Sequence, residues 1–123
     1  MKKNIVVVDD FENTRWVIEF NLKSIECEIF NAANGKEALA YFDGRRIDLL
    51  LTDLNMPVMN GIELVKAIKD KIEYRTLPVI MLTTEKNPDF KKQVMSLNIT
   101  AWIQKPFKND EFLKVIKKCL SIN

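Results

Sequence analysis

The chain contains no histidine and only two cysteines among its 123 residues. Without histidine it can form neither an imidazole-based zinc site nor a Ser-His or Cys-His nucleophilic pair, and it cannot hold an internal phosphohistidine. The two cysteines, Cys27 and Cys119, are far apart in the sequence. We therefore expect two buried free thiols in a reducing compartment and not a structural disulfide.

Long apolar runs are also missing. No segment of the sequence approaches the roughly 20 apolar residues that a membrane-spanning helix needs. The first residues, Met-Lys-Lys-Asn followed by only four apolar residues and two aspartates, do not resemble a signal peptide. These absences predict a cytoplasmic protein without membrane insertion.

The net charge of +2 is too small to indicate nucleic-acid binding. The charge is nevertheless unevenly distributed. Residues 86–123 contain eight lysines and three acids, whereas residues 1–85 contain eleven lysines or arginines and fourteen acids. This asymmetry has two interpretations: ordinary solvated helix faces, or an acidic site in the first part and a basic docking face in the last.

Apolar runs and helix-like segments alternate five times along the chain. We predict strands at residues 5–8, 28–32, 47–52, 77–82 and 101–104. Helices are expected to begin near residues 12, 34, 61, 88 and 109. Short links between alternating strands and helices predict an α/β fold with a parallel sheet covered on both faces. The length suits one domain, residues 1–123, with no output domain.

The first predicted helix has an imperfect apolar pattern. We expect it to cover residues 12–24, to open at Glu12 or Asn13, and to contact the core through four apolar residues. These are Val17, Ile18, Phe20 and Leu22.

Polar residues end four of the five predicted strands: Asp9 and Asp10 the first, Asp53 the third, Thr83 the fourth and Lys105 the fifth. The carboxyl ends of parallel strands share one edge, where open α/β sheets bind ligands. Three neighbouring carboxylates repel one another unless a cation lies among them, and oxygen-only ligands favour Mg²⁺. A carboxylate between a divalent ion and a lysine is arranged for attack on phosphorus. Each residue alone has a plainer explanation, such as helix capping by an aspartate.

These residues resemble those of a known family over essentially the whole chain. The resemblance rests on Asp9-Asp10, on Asp53 within Asp-Leu-Asn-Met-Pro-Val-Met-Asn-Gly, on Thr83, and on Lys105-Pro106-Phe107. They are similar to the receiver domain of bacterial two-component response regulators, above all to its single-domain chemotaxis (CheY-like) members. The resemblance implies a doubly wound, five-stranded parallel sheet of the flavodoxin/CheY type, ordered 2-1-3-4-5, with five helices on both faces.

The resemblance also assigns chemical roles. Asp53 is implied to be the phosphoacceptor, which takes a phosphoryl group from the phosphohistidine of a CheA-like sensor histidine kinase. Asp10 and Asp53 are implied to bind Mg²⁺ directly, the backbone carbonyl of Asn55 to complete the protein ligands, and Asp9 to act mostly through water. The chain would be a signalling switch, not an enzyme, although it promotes its own phosphorylation and dephosphorylation.

Thr83 and Lys105 are implied to bind the phosphoryl oxygens, with Lys105-Pro106 as a cis peptide. In the family, the threonine moves toward the phosphoryl group and an aromatic residue on the fifth strand rotates inward. That aromatic position is Trp102 here, where tyrosine or phenylalanine is more usual. A half-buried strand aromatic without a switching role is the competing interpretation of Trp102.

Three residues beside the site are expected to modulate the lifetime of the phosphoryl group. Asn55 and Glu85 match residues that flank the site in chemotaxis members, which hints at a short-lived phosphoryl state. Thr84 stands where alanine or glycine is frequent and could restrict access to the acyl phosphate. Another departure from the family is the turn Asn98-Ile99-Thr100, in which Asn98 can adopt the left-handed conformation that a glycine usually supplies.

The output is expected on the surface of the fourth helix, fifth strand and fifth helix. Its candidate residues are Lys91, Lys92, Trp102, Lys114, Lys117 and Lys118. The chemotaxis resemblance, which extends to Phe11 and Arg15, makes a flagellar motor switch protein the leading target. The chain is expected to act as a monomer and to bind no nucleic acid.

The sequence leaves three alternative functions open. One is a phosphorelay carrier, which would pass its phosphoryl group to a histidine of another protein. The second is a flavodoxin-type carrier or small-nucleotide binder, but the first strand is followed by acids instead of a hydroxyl- and glycine-rich loop. The third is a small metal-dependent phosphatase, which usually has a second acid where this chain has Asn55.

Overall fold

Five parallel strands form one sheet in the computed structural model, which describes residues 2–122. The strands are β1 (Lys3–Val8), β2 (Cys27–Ala32), β3 (Leu49–Thr52), β4 (Val79–Thr83) and β5 (Ala101–Gln104). Their order is β2-β1-β3-β4-β5, and each neighbouring pair is parallel. The order implied by the family resemblance is therefore confirmed. Residues 1 and 123, the two ends of the expected domain, lie outside the described residues.

Five α-helices connect or follow the strands within residues 2–122. They are α1 (Glu12–Asn21), α2 (Gly35–Leu39), α3 (Gly61–Lys69), α4 (Pro88–Met95) and α5 (Asn109–Cys119). Asparagine side chains cap three of them, because each accepts a backbone N–H bond in the first turn. The capping residues are Asn34, Asn60 and Asn87. None of the helices in this described part of the chain is long and apolar enough to cross a membrane.

The core consists of two clusters, one on each face of the sheet. Successive residues of β1 alternate between them, because strand side chains point to opposite faces with a period of two. Val6 and Val8 pack with residues of α2, α3 and α4. Ile5 and Val7 pack with residues of α1 and α5. All residues of β3 and β4 are buried, as expected for central strands covered on both faces.

The expectation for the first helix is partly wrong. Val17 and Phe20 are 42% and 55% exposed, so only Ile18 and Leu22 of the four predicted residues are buried. Phe11 is the N-cap and forms no side-chain capping bond. Residues 22–24 form a separate 3-10 helix, which turns Leu22 toward the core.

The cysteines are free, as expected, but half-buried. Partial burial raises the pKa of both the Cys27 and the Cys119 thiol, because desolvation penalises the thiolate. The left-handed conformation predicted for Asn98 is confirmed, with φ at 62°.

Candidate functional site

Asp9 and Asp53 lie next to each other at the carboxyl edge of the sheet. Val8 and Thr52 are paired in the β1–β3 register, so the residues that follow them emerge together. The Asp53 N–H donates to the Val8 carbonyl over 3.0 Å. Both carboxylates are buried, Asp9 at 1% and Asp53 at 8% exposure.

Asp10 completes a cluster of three carboxylates. One oxygen from each of Asp9, Asp10 and Asp53 lies within 4.8 Å of the others. Asp10 Oδ1 is buried and has no hydrogen-bond partner among residues 2–122. A buried carboxylate oxygen without a donor is costly, so a cation is the partner that best fits it. The oxygen-only set suits a hard divalent ion.

Lys105 supplies a positive charge to this cluster. Its Nζ lies 2.7 Å from Asp9 Oδ2 and 3.4 Å from Asp53 Oδ2, and its side chain is only 13% exposed. The Lys105-Pro106 peptide is cis, as expected. The Lys105 N–H donates to the Thr83 carbonyl over 2.8 Å, which ties the β5–α5 loop to the end of β4. The lysine therefore contacts Asp9 more closely than the carboxylate predicted to be phosphorylated.

Thr83 is fully buried at the end of β4. Its Oγ1 accepts a hydrogen bond from the Glu85 N–H over 3.2 Å. The Glu85 carboxylate in turn accepts from the Lys86 N–H over 3.1 Å, just before α4. Thr84 is exposed between them. Any rotation of the threonine hydroxyl toward the acid cluster would thus alter a bond within the β4–α4 loop.

Backbone groups of the loop between β3 and α3 also fix the position of Asp53. Asp53 Oδ1 accepts from the Leu54 N–H over 2.7 Å, and the Leu54 carbonyl accepts from the Gly61 N–H over 2.8 Å. A Cβ on Gly61 would lie only 2.3 Å from the Asp53 carbonyl oxygen, so this close approach requires glycine. Asn55 is exposed at the start of the loop.

Trp102 lies on the edge strand β5, opposite Met81 of β4. It is half-buried and packs against the cluster that contains Val94 of α4. The lysines predicted for the output surface are exposed or half-buried on α4 and α5. The Trp102 side chain therefore packs at the β5 edge on the face of the sheet that α4 covers, a position that suits either interpretation made from the sequence.

Arg15 is a site residue whose role the sequence did not reveal. Its Nη1 donates to the Asp9 carbonyl oxygen over 2.5 Å. The sequence signal was an arginine six residues after the first aspartate, near the amino end of a helix. A cation is electrostatically disfavoured there, because that end of the helix dipole is positive.

The fold and the acidic carboxyl edge define a flavodoxin/CheY-like α/β domain with a candidate divalent-cation site. Residues 5–117 match the family model of the response regulator receiver domain. The chain therefore belongs to the receiver domains of two-component response regulators, which are signalling switches. Receiver domains typically bind Mg²⁺ at an acidic pocket, and the cluster of three aspartates is consistent with this.

Similar proteins come from different signalling contexts. The transcriptional regulator NtrC of Proteus hauseri is 34% identical over 122 residues, and the match covers 98% of this chain and 25% of NtrC. The polar-differentiation response regulator DivK of Brucella anthropi is 30% identical over 120 residues, which cover 98% of both chains. The solved structure of the chemotaxis protein CheY4 of Vibrio cholerae is 36% identical, with a TM-score of 0.89 over 98% of this chain and 100% of CheY4. The chain thus spans about a quarter of the length of NtrC.

Proposed function

We propose that the chain is a phosphorylation-activated switch in which Asp53 accepts a phosphoryl group from the phosphohistidine of a sensor histidine kinase. The observation that supports this most directly is the position of the Asp53 carboxylate. One of its oxygens lies within 4.8 Å of an Asp10 oxygen, and its Oδ2 lies 3.4 Å from Lys105 Nζ, at the edge of the sheet where ligands bind. The buried Asp10 Oδ1 has no hydrogen-bond partner among residues 2–122.

The two oxygens of Asp53 are not equivalent. Oδ1 accepts the short bond from the Leu54 N–H, whereas the single polar contact of Oδ2 with the described residues is the 3.4 Å approach of Lys105 Nζ. Oδ2 is therefore the proposed nucleophile. A bond forms between this oxygen and phosphorus while the phosphorus–nitrogen bond of the donor breaks, and the electron pair of that bond remains on the imidazole nitrogen, which takes up a proton.

The proposed cation ligands are the carboxylates of Asp10 and Asp53 and the backbone carbonyl of Asn55, with Asp9 acting through water. When bound, Mg²⁺ would offset the negative charge of the incoming phosphoryl group. Lys105 would move its ammonium from Asp9 Oδ2 to a phosphoryl oxygen. No large displacement is needed, because Nζ is already within 3.4 Å of Asp53 Oδ2.

The proposed signal passes through Thr83. A hydrogen bond donated by its O–H to a phosphoryl oxygen would reorient Oγ1, which accepts from the Glu85 N–H. The β4–α4 loop would then rearrange and let Trp102 turn inward beside α4. Asn55, Thr84 and Glu85 are the proposed modulators of phosphoryl lifetime, since Asn55 is two residues from Asp53 and the other two directly follow Thr83.

The proposed output surface comprises α4, β5 and α5, with the lysines named above. A flagellar motor switch protein is the proposed target, supported by the similarity to the chemotaxis protein CheY4. NtrC and DivK indicate that close relatives also act in transcriptional control and polar differentiation. The chemotaxis assignment therefore rests on structural similarity and on the residues shared with chemotaxis members.

The phosphoacceptor is tested by incubation with acetyl phosphate and Mg²⁺, followed by intact-mass measurement. We expect one added phosphoryl group in the natural chain and none when the metal is chelated. Asp53→Asn should remain unmodified, because the amide is a poor nucleophile of nearly the same shape. Asp70→Asn is the matched control, since this exposed aspartate ends α3 outside the cluster. Modification of Asp53→Asn at the natural rate would rule out the proposed role of Asp53.

A further inference from the structure

Arg15 reaches back from α1 to the backbone between the two adjacent aspartates. Its Nη1 donates to the Asp9 carbonyl oxygen over 2.5 Å, and the side chain is half-buried. This oxygen belongs to the peptide that joins Asp9 to Asp10. The orientation of that peptide determines the direction in which the Asp10 side chain leaves the chain. Arg15 therefore contacts the peptide group whose orientation sets the direction of the Asp10 side chain.

Asp9 uses its hydrogen-bonding groups within the protein. Its Oδ1 accepts from the Phe11 N–H over 3.0 Å, and its Oδ2 accepts from Lys105 Nζ over 2.7 Å. Its carbonyl oxygen accepts from Arg15. Asp10, by contrast, presents a buried Oδ1 with no partner among the described residues. The structure thus fixes the first aspartate firmly and leaves the second free to bind a ligand.

Electrostatics alone does not explain an arginine in this place. Arg15 follows the start of α1 at Glu12 by three residues, so its charge lies near the positive end of the helix dipole. A guanidinium near the cluster also repels a divalent cation. Both effects disfavour the arginine, whereas the hydrogen bond to the Asp9 carbonyl is a charge-assisted bond with a clear geometric consequence.

We propose that Arg15 is a positioning residue for the divalent cation. It holds the Asp9-Asp10 peptide so that the Asp10 carboxylate converges with Asp53 on one ion. This inference rests on the proposed metal site. It goes further because it assigns cation affinity to a residue that touches neither the ion nor the phosphoryl group.

A role through charge and a role through position make different predictions for two substitutions of Arg15. If Arg15 acted only through its charge, Arg15→Met would bind Mg²⁺ more tightly and Arg15→Lys would bind it as the natural chain does. If Arg15 acts by position, both variants bind Mg²⁺ more weakly, since methionine lacks a donor and lysine lacks the length and the planar fork of donors. The loss should be about tenfold, the lower end of what loss of a residue supporting the ligands costs in metal affinity.

The experiment is calorimetric titration of the metal-free chain with MgCl₂. Arg45→Met is the matched control, because this arginine is also hydrogen-bonded, but to Asp43 in the exposed loop between α2 and β3. We expect Arg45→Met to bind Mg²⁺ as the natural chain does. The melting temperature of each metal-free variant is measured in parallel, so that loss of affinity is compared among folded proteins.

Three results would overturn the inference. The first is unchanged or tighter Mg²⁺ binding by Arg15→Met. The second is natural affinity in Arg15→Lys, which would leave charge as the explanation. The third is a lowered melting temperature with unchanged affinity, which would mark a purely structural residue. If the natural chain itself binds no Mg²⁺, the proposed metal site fails together with the inference, whereas weak binding confined to the Arg15 variants supports both.

Discussion

At the scale of single residues, Val58 has a backbone conformation that is unfavourable for a valine. It lies in the β3–α3 loop with φ at 70° and is 74% exposed. A β-branched side chain is disfavoured in this left-handed region by about 1–2 kcal/mol. The loop also carries the residues that follow Asp53, so the unfavourable conformation lies beside the candidate site. Strain of this kind often accompanies functional loops.

Val58→Asn should therefore stabilise the chain by about 1 kcal/mol, because asparagine tolerates the left-handed region. Urea unfolding is the measurement. Val17→Asn is the control, since Val17 is also exposed but lies in the regular helix α1, where valine and asparagine have similar propensities. Equal or lower stability of Val58→Asn would show that the surrounding loop already accommodates the valine without cost.

The positions of single site residues could be predicted from the sequence, but their side-chain partners could not. Asp9, Asp53 and Thr83 were placed correctly at strand ends, because a strand followed by a break fixes its last residue within narrow limits. Side-chain partners were not predictable in the same way. The preference of Lys105 Nζ for Asp9 over Asp53 depends on side-chain conformations, and the reach of Arg15 depends on the angle at which α1 leaves the sheet.

At the scale of elements, Gly61 is the point where α3 touches the end of β3. A Cβ there would meet the Asp53 carbonyl oxygen at 2.3 Å and the Leu54 Cα at 3.1 Å, and both are backbone atoms. Neither can move aside as a flexible side chain could. The start of α3 therefore constrains the backbone of Asp53, the proposed phosphoacceptor.

We predict that Gly61→Ala lowers the free energy of unfolding by about 1–3 kcal/mol, as overpacking usually does. It should also slow phosphorylation of Asp53 by acetyl phosphate, because the displaced backbone carries the proposed nucleophile. Gly44→Ala separates the two effects. Gly44 has a φ of 106° but nothing within 4 Å of an added Cβ, so this variant should lose stability and keep its phosphorylation rate. A natural phosphorylation rate in folded Gly61→Ala would contradict the link.

The elements themselves were predictable where their signals agreed. Asn87-Pro88-Asp89 marked the start of α4, and the structure shows Asn87 as its cap with Pro88 in the first turn. The first helix was less predictable because its apolar residues are spread around the helix axis and do not form one face. Trp16 and Phe20 stack on each other with ring centroids 5.6 Å apart, which partly shields apolar surface that the core does not cover.

At the scale of the molecule, the acid-rich residues 1–85 and the lysine-rich residues 86–123 form different parts of one domain. The first part contains β1 to β4, and the second contains α4, β5 and α5. Three aspartates, Asp9, Asp10 and Asp53, converge at the carboxyl edge, and the lysines of α4 and α5 lie on the helices beside the edge strand β5. Alternation of strands and helices predicted the parallel sheet but not its strand order, which came from the family resemblance. Crossover chirality alone leaves several orders open.

Trp102 offers a direct test of the proposed coupling across the molecule. The chain has two tryptophans, and Trp16 is 63% exposed on α1. Trp16→Phe therefore leaves Trp102 as the single indole, with little expected loss of stability. If phosphorylation turns Trp102 inward, its emission should shift to shorter wavelength on addition of acetyl phosphate and Mg²⁺. The Asp53→Asn form of this variant should show no shift.

The same variant reports binding of the proposed target. A peptide from a flagellar motor switch protein is titrated into the phosphorylated and unphosphorylated forms, and the Trp102 emission is followed. A two-state surface biased by the phosphoryl group should bind the peptide about 5–150-fold more tightly when Asp53 is phosphorylated, the usual range of coupling between sites. Equal affinity in both forms would exclude this output, and transfer of the phosphoryl group to a histidine of another protein would then favour the relay carrier.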